Sequence, residues 1–150
     1  MDLILWRHAE AKEADGPIAD GDRELSAAGL RHARQAAEWL RSQRLRDTTV
    51  LSSPARHAVQ TAQALDLPVK VKTQLGVGAS TPDLLAAADW PDHHGVIILV
   101  SHQPALGRLA SLLLAGTQAD WTIKKAGVWW FTNRVRHDET QTVLRAVHNP

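Results

Sequence analysis

The sequence predicts a three-layer α/β/α domain built on a mostly parallel central sheet. Short, branched, apolar runs at 2–6, 48–53 and 95–101 alternate with stretches of helical periodicity. The run at 95–101, "GVIILVS", is apolar almost without a break, as expected of a strand covered on both faces. Strands separated by helices pair in parallel, because the crossover helix returns the chain to the same end of the sheet.

The elements follow in order. Residues 2–6 read as a buried strand. Residues 9–24 hold Gly16, Pro17, Gly21 and three Asp, which marks a polar loop. Residues 25–43 are helical: Ser26 is a plausible N-cap, and Leu30, Ala33, Ala37 and Leu40 recur at helical spacing. "TTVLSS", 48–53, is a second buried strand, and Pro54 opens a helix at its first turn. "VKVK", 69–72, is a short strand, and Pro82 to Trp90 a short helix. After the 95–101 strand comes an apolar helix, 104–116, with Gly116 as its stop. "GVWWFTNRV" and "TVLRAV" read as two closing strands. No repeat or linker interrupts residues 1–150, so one domain is expected.

Composition sets limits. Over 150 residues the apolar fraction is 44% and the net charge +1, enough for one core and too neutral for nucleic-acid binding driven by bulk charge. Cysteine is absent, which excludes disulfides, thiolate catalysis and cysteine-ligated zinc. Met1-Asp2 leads straight into the first strand without a signal-peptide pattern, and no apolar run approaches a bilayer span, so a cytoplasmic location is expected.

Chemistry gathers where strands end. In open parallel sheets, ligands bind at the carboxyl ends of the strands. The first strand ends in Arg7-His8, the second leads to Arg56, the third ends at His102, and Arg23 comes from the intervening loop. Two imidazoles and up to three guanidiniums in one crevice suit a phosphoryl group. A neutral imidazole is a competent nucleophile, and fixed cations offset the charge of the equatorial oxygens.

Four stretches, "LWRHAEA", "RELSAAG", "SSPARHAVQTA" and "VSHQPALGRL", resemble the ordered motifs of the histidine phosphatase superfamily across residues 3–115. The short length is most similar to its SixA-like phosphohistidine phosphatases. The resemblance implies a phosphoglycerate mutase-like fold and a metal-independent hydrolase. It implies His8 as the phosphorylated nucleophile. Arg7, Arg56 and His102 would bind and stabilise the phosphoryl group, and Arg23 would contribute peripherally. No cofactor and no metal are implied. The expected substrate is a phosphohistidine-bearing protein, either a phosphotransfer domain or a phosphocarrier in signal transduction. A monomer without nucleic-acid or membrane partners is expected.

The sequence departs from the family pattern in places. Ala9 stands where many members have Gly, and "SHQP" where many have Gly-His-Asn-Pro. Members that hydrolyse phosphate esters usually supply a carboxylate from the region after the short strand at 69–72, where this chain offers only Asp83 as candidate. A protonated phosphohistidine leaves as neutral imidazole, whose conjugate acid has a pKa near ~6.5, and so needs little help from a strong acid. A carboxylate-poor site therefore favours P–N over P–O cleavage. The alternatives are a phosphatase of small phosphate esters with the same mechanism and a non-enzymatic phosphate-binding or adaptor domain. A histidine-ligated metal site is disfavoured because the arginines would repel the ion. Glu10 reads as a rim or solvent residue. His32 and His93-His94 read as surface, His57 as structural and pointing away from Arg56, and the tryptophans as core.

Overall fold

The computed structural model describes every residue except Asp15 and Pro17. Those two belong to the polar loop expected at 9–24 and lie outside the described residues. Six strands form one sheet: β1 (Asp2–Arg7), β2 (Thr48–Ser52), β3 (Val69–Val71), β4 (Val96–Ser101), β5 (Val128–Arg136) and β6 (Glu139–His148). Their order is β3-β2-β4-β1-β5-β6. The pairs β3–β2, β2–β4 and β4–β1 are parallel, while β5 is antiparallel to both neighbours. The expected mostly parallel sheet is therefore present, closed at one edge by a hairpin.

Four helices cover it: α1 (Ala27–Ser42), α2 (Arg56–Gln63), α3 (Thr81–Ala88) and α4 (Ala105–Ala115). Alternation along the strands sorts the core into two halves. Ile4, Trp6, Val50, Ile98 and Val100 pack with Ala36, Ala37 and Leu40 of α1 and Ala58 and Ala62 of α2. Leu3, Leu5, Leu51, Ile97 and Leu99 face the other way, onto Leu84 of α3 and Leu106 and Leu109 of α4. This is the three-layer arrangement that continuous apolar strands require. Trp6 and Trp130 belong to the first half, with Trp39 packed on it, and Trp90, Trp121 and Trp129 pack on the second.

Two helix readings are corrected. Leu30 is exposed; the buried stripe of α1 starts instead at Gly29, because a Cβ there would collide with the Glu10 carbonyl and only glycine lets the loop approach. Pro54 precedes the first turn of α2, whose N-cap is Ala55. The Ala55 N–H is taken by Ser53 Oγ at 3.2 Å, so two residues are spent turning out of β2 before the helix begins. Ser26 does cap α1, accepting from the Gly29 N–H at 3.0 Å, and Gly116 ends α4 with φ 78°.

Candidate active site

The parallel strands deliver their last residues to one edge. Register pairs Arg7 of β1 with Ser101 of β4, so His8 and His102 follow side by side. His8 N–H donates to the Ser101 carbonyl at 3.2 Å, and Ser53 N–H to that of Val100 at 2.9 Å. The imidazoles of His8 and His102 have centroids 5.1 Å apart.

His57, read from sequence as structural, completes the group. Its ring lies 4.3 Å from His8 and 5.5 Å from His102, and it is 1% exposed. The signal was present in the sequence: His57 sits on the first turn of α2, one position past Arg56, and 100° per residue decides which of the two faces the sheet edge. Arg56 loses that choice. Its side chain is 56% exposed and forms an ion pair with Glu24, so it does not converge with the histidines as expected.

Each imidazole is oriented by a second group. His8 Nδ1 lies 2.8 Å from its neighbour's carbonyl, Ala9 O, and His57 Nδ1 lies 3.2 Å from Arg23 O. A carbonyl can only accept, so both Nδ1 atoms carry the proton and both Nε2 atoms hold a bare lone pair. His102 Nε2 meets Ser53 Oγ at 2.7 Å. A hydroxyl donates or accepts, so His102 can present either tautomer. Ser53 was not singled out from sequence, although it lies in the "SSP" stretch.

Polar residues of α2 tie the loops down. Thr61 Oγ1 accepts from the Ala9 N–H at 3.0 Å and donates to the His57 carbonyl at 2.7 Å. Gln60 Oε1 accepts from the Leu25 N–H at 2.7 Å. Glu10 is exposed and accepts from Ser26 Oγ at 3.2 Å.

Charge is more local than the sequence implied. Arg7 donates from Nη1 to the Ile123 carbonyl at 2.9 Å, and its buried Nε has no partner among the described residues. Gln103 holds the same segment two residues earlier, donating to the Trp121 carbonyl at 2.8 Å. Arg23 is engaged: Nη1 donates to Lys12 O at 3.1 Å and Nη2 pairs with Asp20 at 2.7 Å. Burial, the neighbouring imidazoles and Arg7 lower the His8 pKa to about 3 against the pull of the Ala9 carbonyl. Burial, His57 and Arg7 lower His102 to about 4, with Asp20 opposing. His57 is lowered as well, by burial first and Arg23 second. All three rings are therefore neutral near pH 7.

Beside the imidazoles opens a cleft of about 480 Å³, lined by Asp20, Asp22, Ser53, Pro54, Gly76 and Val77 among others. Ser53 joins it to His102, and the charge of Asp20 reaches His57 and His102. Asp83 is not in its wall. Its carboxylate accepts from the Ser80 N–H at 3.0 Å as half of a capping box on α3, and the Ser80 amide and hydroxyl hold its carboxyl below the usual range. That is the wrong direction for an acid that must be protonated. Among the described residues the carboxylates in the cleft wall are Asp20 and Asp22, in the loop that the sequence marked only as polar.

The family model of the histidine phosphatase superfamily (branch 1) matches residues 3–76. An uncharacterized protein of Mycobacterium tuberculosis is 33% identical over 117 residues, covering 75% of this chain and 73% of that one. One from Picosynechococcus is 32% identical over 139 residues, covering 85% and 82%. The chain belongs to the histidine phosphatase superfamily. Its solved relatives share the fold at low identity. The SixA protein of Agrobacterium tumefaciens superimposes with a TM-score of 0.83 at 21% identity, over 99% of this chain and 97% of that one. The protein histidine phosphatase SixA complexed with tungstate gives 0.79 at 21%, with the same coverage. A mycobacterial glucosyl-3-phosphoglycerate phosphatase gives 0.70 at 21%, over 97% of each. Among the described residues no helix is long and apolar enough to cross a membrane.

Proposed function

We propose that this superfamily member is a phosphatase that takes a phosphoryl group onto His8 and passes it to water, with phosphohistidine on a partner protein as its substrate. One observation carries the reading: the Nε2 of His8 is bare and neutral beside Arg7 and His102 at the end of a rigid strand. His8 Nε2 attacks phosphorus, and the P–N bond to the substrate imidazole, which is protonated on its other ring nitrogen, breaks with its electron pair returning to nitrogen, so that neutral imidazole leaves. Arg7 neutralises the phosphoryl oxygens as charge builds on them. Water then attacks phospho-His8, with His102 taking its proton through the ring nitrogen that Ser53 leaves free, and inorganic phosphate departs.

Two features favour P–N chemistry. Asp20 is bound up with Arg23, and an ionised carboxylate accepts hydrogen bonds and donates none. A leaving imidazole tolerates that, whereas an alkoxide does not. The cleft also lies at the end of β2 beside Ser53, open to solvent, which suits a side chain presented on a partner's surface. The fold shared with the glucosyl-3-phosphoglycerate phosphatase keeps a small phosphate ester as the second reading.

Rapid quench with a labelled phosphohistidine protein tests the proposal. The expected result is an acid-labile, base-stable adduct on His8, absent in His8→Ala. Wild-type turnover without that adduct would overturn it. A panel of phosphohistidine protein, free phosphoramidate, and sugar and aryl phosphates then ranks the substrate classes by kcat/KM.

A further inference from the structure

The same three imidazoles have a property that the phosphatase reading does not use. One ring nitrogen from each of His8, His57 and His102 lies within 4.8 Å of the other two. His57 and His102 are buried, at 1% and 6% exposure, and His8 is half-buried. They come from three different elements: the end of β1, the first turn of α2, and the end of β4. Three rings brought together by long-range folding, each held by a second group, form a preorganised set of nitrogen ligands.

The orienting hydrogen bonds have the pattern found around metal-bound histidine. A ligating imidazole donates its other N–H to a carbonyl or similar acceptor, which fixes the tautomer and aims the lone pair. His8 does so to Ala9 O, and His57 to Arg23 O. His102 completes the set in the tautomer that donates Nε2–H to Ser53 Oγ, leaving Nδ1 unprotonated. No thiolate competes, since the chain has no cysteine.

We propose that His8, His57 and His102 bind a divalent transition-metal ion of the zinc class, and that the bound ion blocks His8 as a nucleophile. Three neutral imidazoles with a fourth position left to water is an established zinc arrangement. Zinc and its neighbours in the first transition row favour imidazole nitrogen. Tetrahedral ligands at 2.0–2.1 Å from the ion stand about 3.4 Å apart, so the site closes on the metal by ring movements of roughly 1 Å. The repulsion expected from arginines is smaller than the sequence implied. Arg56 is paired with Glu24 away from the rings, and Arg23 with Asp20. Arg7 opposes the ion at His8 and His102 and Arg23 opposes it at His57, while Asp20 acts on His57 and His102 in its favour. Binding exchanges water for imidazole and involves no redox change. The lone pair that would attack phosphorus is then donated to the metal. Metal binding stands by itself; only the blocking rests on the proposed role of His8.

The test uses tag-free, chelator-treated protein in phosphate-free buffer near neutral pH. Cobalt(II) should bind one ion per chain, saturably, with visible bands of tetrahedral intensity, and zinc(II) should displace it. In the unmodified protein, zinc should shift the imidazole nitrogen resonances of His8, His57 and His102. Loss of an outer-sphere partner costs 10–100-fold in affinity, so losing a ligand in His57→Phe should cost at least about 100-fold. The His93→Ala/His94→Ala double variant should bind as wild type. Absence of saturable binding, or shifts confined to His93 and His94, would overturn the site. Unchanged labelling of His8 at saturating zinc would overturn the blocking. A metal-free protein that binds zinc but never accepts a phosphoryl group would instead refute the phosphatase reading and leave the metal site standing.

Discussion

Arg7 and Arg56 are chemically identical and sit in adjacent motifs, yet the fold gives them opposite weights. Replacing each by alanine tests this directly. The Arg56 side chain is 56% exposed and, among the described residues, pairs with Glu24. Exposed ion pairs contribute about 0–1 kcal/mol, so Arg56→Ala should lower phosphoryl transfer by less than about fivefold. The Arg7 guanidinium is held by the Ile123 carbonyl at 2.9 Å, and its charge bears on both His8 and His102. Removing one preorganised donor from a developing oxyanion costs roughly 10²–10³-fold. Arg7→Ala should therefore lose at least about 100-fold in the rate of His8 phosphorylation. It also strands the Ile123 carbonyl, worth about 1–3 kcal/mol of stability. Single-turnover labelling separates the two effects, because it reads chemistry on protein whose folding is checked by circular dichroism and urea titration. A loss in Arg56→Ala equal to that in Arg7→Ala would refute the geometric assignment and restore Arg56 to the phosphate site.

Further outcomes follow from the same contacts. Ser53→Ala removes the partner of His102 Nε2 and of the Ala55 N–H, so it should slow release of phosphate from phospho-His8 more than its formation; equal effects on both half-reactions would contradict the role given to His102. Asp83→Asn should leave phosphohistidine hydrolysis within about tenfold of wild type, because general-acid help is worth 10²–10⁴ only where the leaving group needs it; a loss of several hundredfold would make Asp83 a general acid. His8 and His102 fall in the fold from 6.5 to about 3 and about 4, so below pH 6.5 the unfolded chain binds protons that the native state refuses. Stability should accordingly be full above that pH and decline as pH falls toward 4, read as the urea midpoint; a midpoint that rises over this window would contradict the buried, neutral imidazoles. Chelation should leave activity unchanged or raise it, and a loss restored by one divalent ion would make the metal a participant.

Most of the architecture is legible in the amino-acid order. Continuous branched runs required buried strands, strand–helix alternation required parallel pairing, and Ser26 and Gly116 marked helix ends through side-chain capping and freedom at positive φ. It also determined that His8 and His102 would be neighbours, because both follow parallel strands and such strands end together. Tertiary structure decided the rest. Arg56 and His57 are consecutive residues on one helix, and only the rotation of α2 against the sheet selects which enters the site. Asp83 had a plausible position in the chain, but the reach of its side chain is spent on Ser80, a local bond that competes with any distant role. Asp20 carried no signal, because a loop carboxylate acquires meaning only from what the loop folds over. Linear sequence fixes periodicity and the order of strand ends; the direction of a side chain about a helix axis, and the partner that claims it, depend on packing between elements far apart in the chain.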